Sequence, residues 1–300
     1  MRAGVSRRDF IKAGTMTLFG SLGAALFGQK AIGRSQRQMN QDPADAMATT
    51  VGEVNHEANG FNPSDILTDF DYGEVSTLEN GQTLREYTFY ALNKPIEIAP
   101  GIEYPAWTYN GRIPGPTLRC TEGDRIRIHF TNGSTHPHSI HFHGIHTMEM
   151  DGVPGTPGLI PPGESFTYEF DAEPFGLHLY HCHAFPLARH IAKGLYGAFI
   201  IDPKEGRPQV DREFVMVMNG FDVDFDNQND FYAVNTVAFH YQKHPIQIRV
   251  AEKIRLYLVN ILEFDLINSF HLHANFFDYY PTGTSLTPSE YTDTIMQTQA

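Results

Sequence analysis

Leu118-Arg-Cys-Thr-Glu-Gly-Asp-Arg-Ile-Arg-Ile-His-Phe-Thr-Asn132 lines up without a gap on Ile246-Gln-Ile-Arg-Val-Ala-Glu-Lys-Ile-Arg-Leu-Tyr-Leu-Val-Asn260. Ile126/Ile254, Arg127/Arg255 and Asn132/Asn260 are identical pairs. Self-similarity at this scale means one supersecondary unit used twice. The surrounding text is short runs of Ile, Val, Phe, Tyr and Thr broken by Gly, Pro, Asn and Asp, an all-β pattern of sandwich or barrel type. The first copy is expected over residues 84–203 and the second over 208–300, with Lys204–Arg207 between them.

Working outward, each copy continues into a histidine pair. His141-Phe-His143 begins nine residues after Asn132, and His271-Leu-His273 eleven after Asn260. In the first copy His181-Cys182-His183 follows 38 residues after His143, and then a closing apolar run, Tyr196–Ile201. In the second copy only 27 residues follow His273, so that domain is expected to stop before its last strands. An open sheet would then keep an unpaired edge.

Strand parity gives these histidines a chemical reading. Residues two apart face one side of a strand, so His141 and His143 point together and His138 points the other way. By the same rule His181 and His183 share a face and Cys182 takes the opposite one. Two such strands side by side gather four imidazoles on one face and pair His138 with Cys182 on the other. A thiolate with two imidazoles in a trigonal array is the blue-copper electron-transfer set, while an all-imidazole cluster suits Cu, Zn, Fe or Ni. His190 supplies the second imidazole, eight residues past Cys182, and Leu195 stands where a weak axial residue is commonly found.

With these motifs, together with Pro114-Gly-Pro-Thr-Leu-Arg119 and Asp151-Gly-Val-Pro-Gly155, the sequence resembles the multicopper oxidases over roughly residues 84–300. The resemblance implies two tandem cupredoxin-like Greek-key β-sandwich domains, the second apparently truncated. It implies a type 1 copper on His138, Cys182 and His190 with Leu195 axial, and a trinuclear site of type 2 and type 3 copper, about four ions per complete subunit. His141, His143, His181 and His183 would serve the trinuclear site. His271 and His273 would complete a neighbouring subunit's site in a laccase-like homotrimer, which also needs a fourth His-x-His pair past Ala300. Asn268 stands where a His138 equivalent would, so type 1 copper is expected in the first domain only. Asp151 is a candidate proton shuttle during reduction of O2, with a small phenol or metal ion as reductant. Copper nitrite reductases share the type 1 position, but carry Asp where His141 stands and lack a histidine after the cysteine. A non-catalytic copper-binding electron carrier is the reading from a different class.

Composition narrows the rest. The formal charge is −13, but residues 1–40 carry a net +6, leaving −19 on residues 41–300. A surface that acidic repels phosphate, so nucleic acid is a poor partner. Ser6-Arg7-Arg8-Asp9-Phe10 before the Gly/Ala-rich stretch 13–28 resembles a twin-arginine export signal, too short and glycine-rich for a stable membrane span. Export to the periplasm or beyond follows. Residues 41–83 read as an acidic extended arm. Cys120 is expected to be a buried apolar side chain. His136, His146 and His178 are expected beside the metal sites without ligating, and His56, His129, His240 and His244 as ordinary surface or strand residues.

Overall fold

A computed structural model of the chain describes residues 52–265 and 267–299. The export-signal segment lies outside the described residues. Among those described, no helix is long and apolar enough to cross a membrane.

In chain order the first ten strands are β1 (Phe70–Asp71), β2 (Glu74–Thr77), β3 (Thr83–Ala99), β4 (Ile102–Tyr109), β5 (Thr117–Thr121), β6 (Arg125–Asn132), β7 (His141–Phe142), β8 (Ser165–Asp171), β9 (Gly176–His181) and β10 (Tyr196–Asp202). They make two sheets, ordered β1-β5-β10-β9-β7 and β2-β3-β6-β8, with β4 paired to the far half of β3. The core between them holds Leu118, Cys120, Phe142, Tyr180 and Phe199 from one sheet and Phe89, Ile126, Ile128, Phe130 and Tyr168 from the other. Each fully buried aromatic or branched side chain there contributes about 1.5–3 kcal/mol. This is the cupredoxin-like β-sandwich expected of the first repeat.

The second repeat supplies β11 (Arg212–Phe221), β12 (Phe231–Val234), β13 (Ile254–Asn260), β14 (Ile267–His271), β15 (Phe277–Tyr279), β16 (Glu290–Thr292) and β17 (Thr294–Thr298). Its identical residues do the same work as in the first. Arg127 stands opposite Glu86 on the parallel pair β3·β6, and Arg255 opposite Glu213 on the parallel pair β11·β13. Both arginines bond those glutamates. Asn132 Oδ1 accepts from the Ser134 N–H at 3.0 Å and Asn260 Oδ1 from the Leu262 N–H at 3.3 Å. Each asparagine thus closes the turn that leads into a His-x-His pair, a geometry its short amide suits.

The copies differ at the counterpart of β5. Residues 246–250 form no strand, and Ile248 and Val250 are 62% and 102% exposed. In the first copy β5 lies between β1 and β10. No strand pairs with residues 246–250 among the described residues.

β10 explains the unbroken apolar run Tyr196–Ile201. Its Phe199 and Ile201 enter the sandwich core, while Tyr196, Ala198 and Ile200 enter a second core with Val215, Val217, Tyr257 and Val259. A strand buried on both faces loses polar alternation. The expected extended arm folds in its described part into α1 (His56–Asn59), α2 (Pro63–Ile66), β1 and β2. Ile66 and Leu67 are buried, and Asn62 caps α2 through the Ser64 N–H with Pro63 at its first position, which is favoured helix-start chemistry.

Candidate metal centre

The histidines lie in two stretches of the first sandwich, one running through β7 and the other from the end of β9 to the segment before β10. Cys182 follows β9 directly, and its N–H donates to the Leu195 carbonyl at 2.9 Å, just before β10. Between them α3 (Leu187–Ala192) buries His190 and Ile191. Gly194 then turns the chain at φ +113°, where any Cβ would collide with the Ile113 side chain. His138 is pinned by reciprocal backbone bonds to Ile160, at 3.0 and 2.8 Å. The result is a convergent set. Cys182 Sγ lies 3.2 Å from His190 Nδ1 and 3.8 Å from His138 Nδ1, and the two Nδ1 atoms are 3.2 Å apart.

These donors fit a metal better than they fit one another. Burial holds the His138 imidazole down to about 3 and His190 to about 4, so both stay neutral and present lone pairs. Burial also pushes the Cys182 thiol up to about 11. Without a cation it remains protonated, and a bound metal would deprotonate it. The Ser139 N–H points at Sγ from 3.4 Å, ready to support a thiolate. His138 Nε2 is buried without a partner. Leu195 is fully buried in the same core cluster as Cys182 and offers no donor.

The second set lies across the peptide chain. His141 and His181 face each other in register on β7 and β9. His141, His143 and His181 can each place a nitrogen within 4.8 Å of the others. His143 Nε2 and His181 Nε2 are 2.8 Å apart. The His183 ring centroid is 5.0 Å from that of His141 and 5.7 Å from that of His181. The parity argument therefore describes how the rings gather, although β7 has two residues and Cys182 and His183 lie beyond β9.

Partners behind the rings select which nitrogen faces inward. His141 Nδ1 meets the Asp151 carboxylate at 2.8 Å and the Asp151 carbonyl at 3.0 Å, and His181 Nδ1 meets the Cys182 carbonyl at 2.9 Å. In both, Nε2 is left to face the other rings, as His181 Nε2 does toward His143, the usual way outer partners orient ligating histidines. Burial lowers His143 to about 4 and His181 to about 3, keeping both neutral. His146 belongs to this neighbourhood, its Nε2 buried and 3.4 Å from Asp151 Oδ1. His178 Nδ1 bonds the His143 carbonyl.

His271 and His273 do not join either set. They are exposed, their rings 4.8 Å apart, with His271 Nδ1 held by the Asp293 carbonyl and Thr294 Oγ1, both at 2.8 Å. Asn268 donates to Met218 Sδ and builds no third donor set in the second repeat. Sequence reading missed Trp107, whose ring centroid is 5.2 Å from His138 and 4.8 Å from His190. Its being the one tryptophan was the available signal. His240, expected as an ordinary surface or strand residue, instead starts a short helix, where it is buried and bonds Ser64 Oγ at 2.8 Å.

A cupredoxin sandwich with a buried cysteine between two imidazole groupings defines a class of copper oxidoreductases, and the comparisons agree. The multicopper oxidase family model matches residues 92–206. A crystal structure of a multicopper oxidase superposes with a TM-score of 0.81 at 61% identity, covering 82% of this chain and 87% of that one. The blue copper oxidase of Nitrosomonas europaea superposes at 0.64 with 27% identity, covering 72% and 73%. The copper-containing nitrite reductase of Neisseria meningitidis is 32% identical over 68% of this chain, which spans 57% of that protein's length. The chain belongs to the multicopper oxidase family.

Proposed function

We propose that this protein is an exported, laccase-like oxidase that couples one-electron oxidation of a small phenol or metal ion to reduction of O2 to water. The observation that carries the reading is the tripeptide His181-Cys182-His183, whose thiol sits in one donor set while both flanking imidazoles sit in the other. Copper bound at the two sets would supply one-electron transfer at the first and multi-electron reduction of O2 at the second. His138, Cys182 and His190, with Leu195 beside them, would hold the type 1 ion. His141, His143, His181 and His183 would hold part of the trinuclear site, with His271 and His273 of a neighbouring subunit closing it in a homotrimer. The exposure of that pair favours a role between subunits.

The residues of the chain divide the remaining work. The covalent link through Cys182 joins the two sets without a solvent gap. Asp151, at 2.8 Å from His141 Nδ1 and partly open to solvent, is placed to orient that ring and to carry protons inward. Burial keeps His143 and His181 neutral, and the Asp151 carboxylate orients His141, so these three present lone pairs at neutral pH.

Nitrite reduction is the second reading, favoured by the 32% identity to the Neisseria enzyme. Against it stands His141, whose ring packs against those of His143, His181 and His183. Four clustered imidazoles suit several metal ions better than one. Purified full-length protein, copper-loaded, is expected to take up O2 with a phenolic donor and to bind about four copper ions per chain. Ready nitrite reduction without O2 uptake would overturn the oxidase reading, and one copper per chain would indicate an electron carrier.

A further inference from the structure

The first donor set is sealed from solvent. His138 is 0% exposed, Cys182 0% and His190 3%, so no dissolved reductant can touch a ligand ring. An electron must cross a neighbouring group, and the packing singles one out. Trp107, 6% exposed, lies against both imidazoles, and its other neighbour is the ring of exposed His136, 4.6 Å away. The Trp107 backbone N–H donates to the Lys193 carbonyl at 2.9 Å, tying β4 to the end of α3, the helix that carries His190. Two cations complete the surroundings, the Arg189 guanidinium 5.8 Å and the Lys193 ammonium 5.9 Å from the indole centroid.

We propose that Trp107, with His136 on its outer side, is the port through which electrons reach this set, and that Arg189 and Lys193 select anionic reductants such as phenolates or carboxylated phenols. The idea rests on the assignment of His138, Cys182 and His190 as the electron-accepting copper site. Aromatic stacking gives a flat donor a place to sit and a path of π-contact inward. The local positive charge contrasts with a chain whose formal charge is −13, so an anion repelled by most of the surface is drawn to this spot. A docked phenolate gives up one electron and leaves as a phenoxyl radical. Four such electrons, with four protons from solvent, are consumed in turning one O2 into two waters, so nothing else is required for balance.

The test uses copper-loaded, full-length protein and the variants Trp107→Leu, Trp107→Phe and His136→Ala. With oxygen excluded, bleaching of the blue absorption by a carboxylated phenol is followed by stopped flow, alongside copper content and the midpoint potential. Trp107→Leu is expected to keep the band and the potential while bleaching about tenfold more slowly or worse, a barrier change of about 1.4 kcal/mol. Trp107→Phe should recover most of the rate, which a packing defect would not allow. His136→Ala, at an exposed position, should slow bleaching several-fold even if the leucine variant fails to fold. In copper-free protein the fluorescence of this single tryptophan should be quenched more by iodide than by caesium. Parental bleaching rates in Trp107→Leu and His136→Ala with the band intact would overturn the port and leave the copper site standing. Equal quenching by the two ions would overturn the choice of anions. A parent with full copper and no blue band would overturn the site assignment itself, and the port with it.

Discussion

Replacing Asp151 by Asn should separate ring orientation from proton supply. Its carboxylate lies 2.8 Å from His141 Nδ1 and 3.4 Å from His146 Nε2, and its own carbonyl reaches the same His141 nitrogen at 3.0 Å. In the variant that carbonyl stays and the amide oxygen can still accept from Nδ1–H, so the ring keeps its tautomer. The lost charge makes His141 a weaker base. Removing such an outer partner costs about 10–100-fold in metal affinity, and the surviving carbonyl favours the lower end, about 1.4 kcal/mol. A positioned proton donor contributes about 100- to 10,000-fold to rate. With excess copper the variant should therefore retain its metal, measured by plasma mass spectrometry, while O2 uptake with a phenolic donor falls at least about 100-fold. The deficit should ease as the pH is lowered and solvent supplies protons directly. Turnover within about threefold of the parent at full copper content would refute proton carriage by Asp151 and leave it only as a support for His141.

Cys182→Ser should abolish the blue band and phenol-driven O2 uptake while copper remains on the imidazole set; a persisting band would remove Cys182 from the centre. Leu195→Met swaps similar volumes in a fully buried position, so folding should tolerate it. Redox titration should show a lower midpoint potential, and an unchanged one would exclude Leu195 as the axial neighbour. For His240, burial and then nearby His244 hold the imidazole down to about 4. Because the folded value lies below the ordinary 6.5, the unfolded chain takes the proton first, so stability is lost as pH falls from 6.5 toward 4. Allowing for solvent screening this amounts to about 1–2 kcal/mol. His240→Gln should flatten that part of the melting-temperature profile, and an identical profile in both proteins would show that His240 does not drive it.

Much of the site was legible because strand parity is local. His141 and His143, two residues apart, had to share a face if β7 was a strand, and His181, Cys182 and His183 had to alternate. The repeat was equally legible, since Arg127/Arg255 and Asn132/Asn260 serve identical register and turn positions in both copies. What escaped was non-local. Trp107 comes from β4 and meets His190 only because α3 folds back over that strand, and its being the one tryptophan does not say which residues it meets. The arm, residues 41–83, shows no sustained periodicity and so reads as extended, whereas the short helices of its described part are held by contacts far along the chain, such as Ser64 with His240 and the Leu67 carbonyl with the Val215 N–H.

By itself the sequence determined the all-β class, the repeat and the donor types, because alternation along a strand and the chemistry of Cys and His are properties of neighbours in the chain. Only the tertiary structure decided which nitrogen of His141 and His181 faces inward, that the donors of the first set are closed off behind Trp107, and that His271 and His273 stand exposed and apart from the other pairs. Those features depend on burial and on partners brought from distant segments, and distance along the chain carries no record of either.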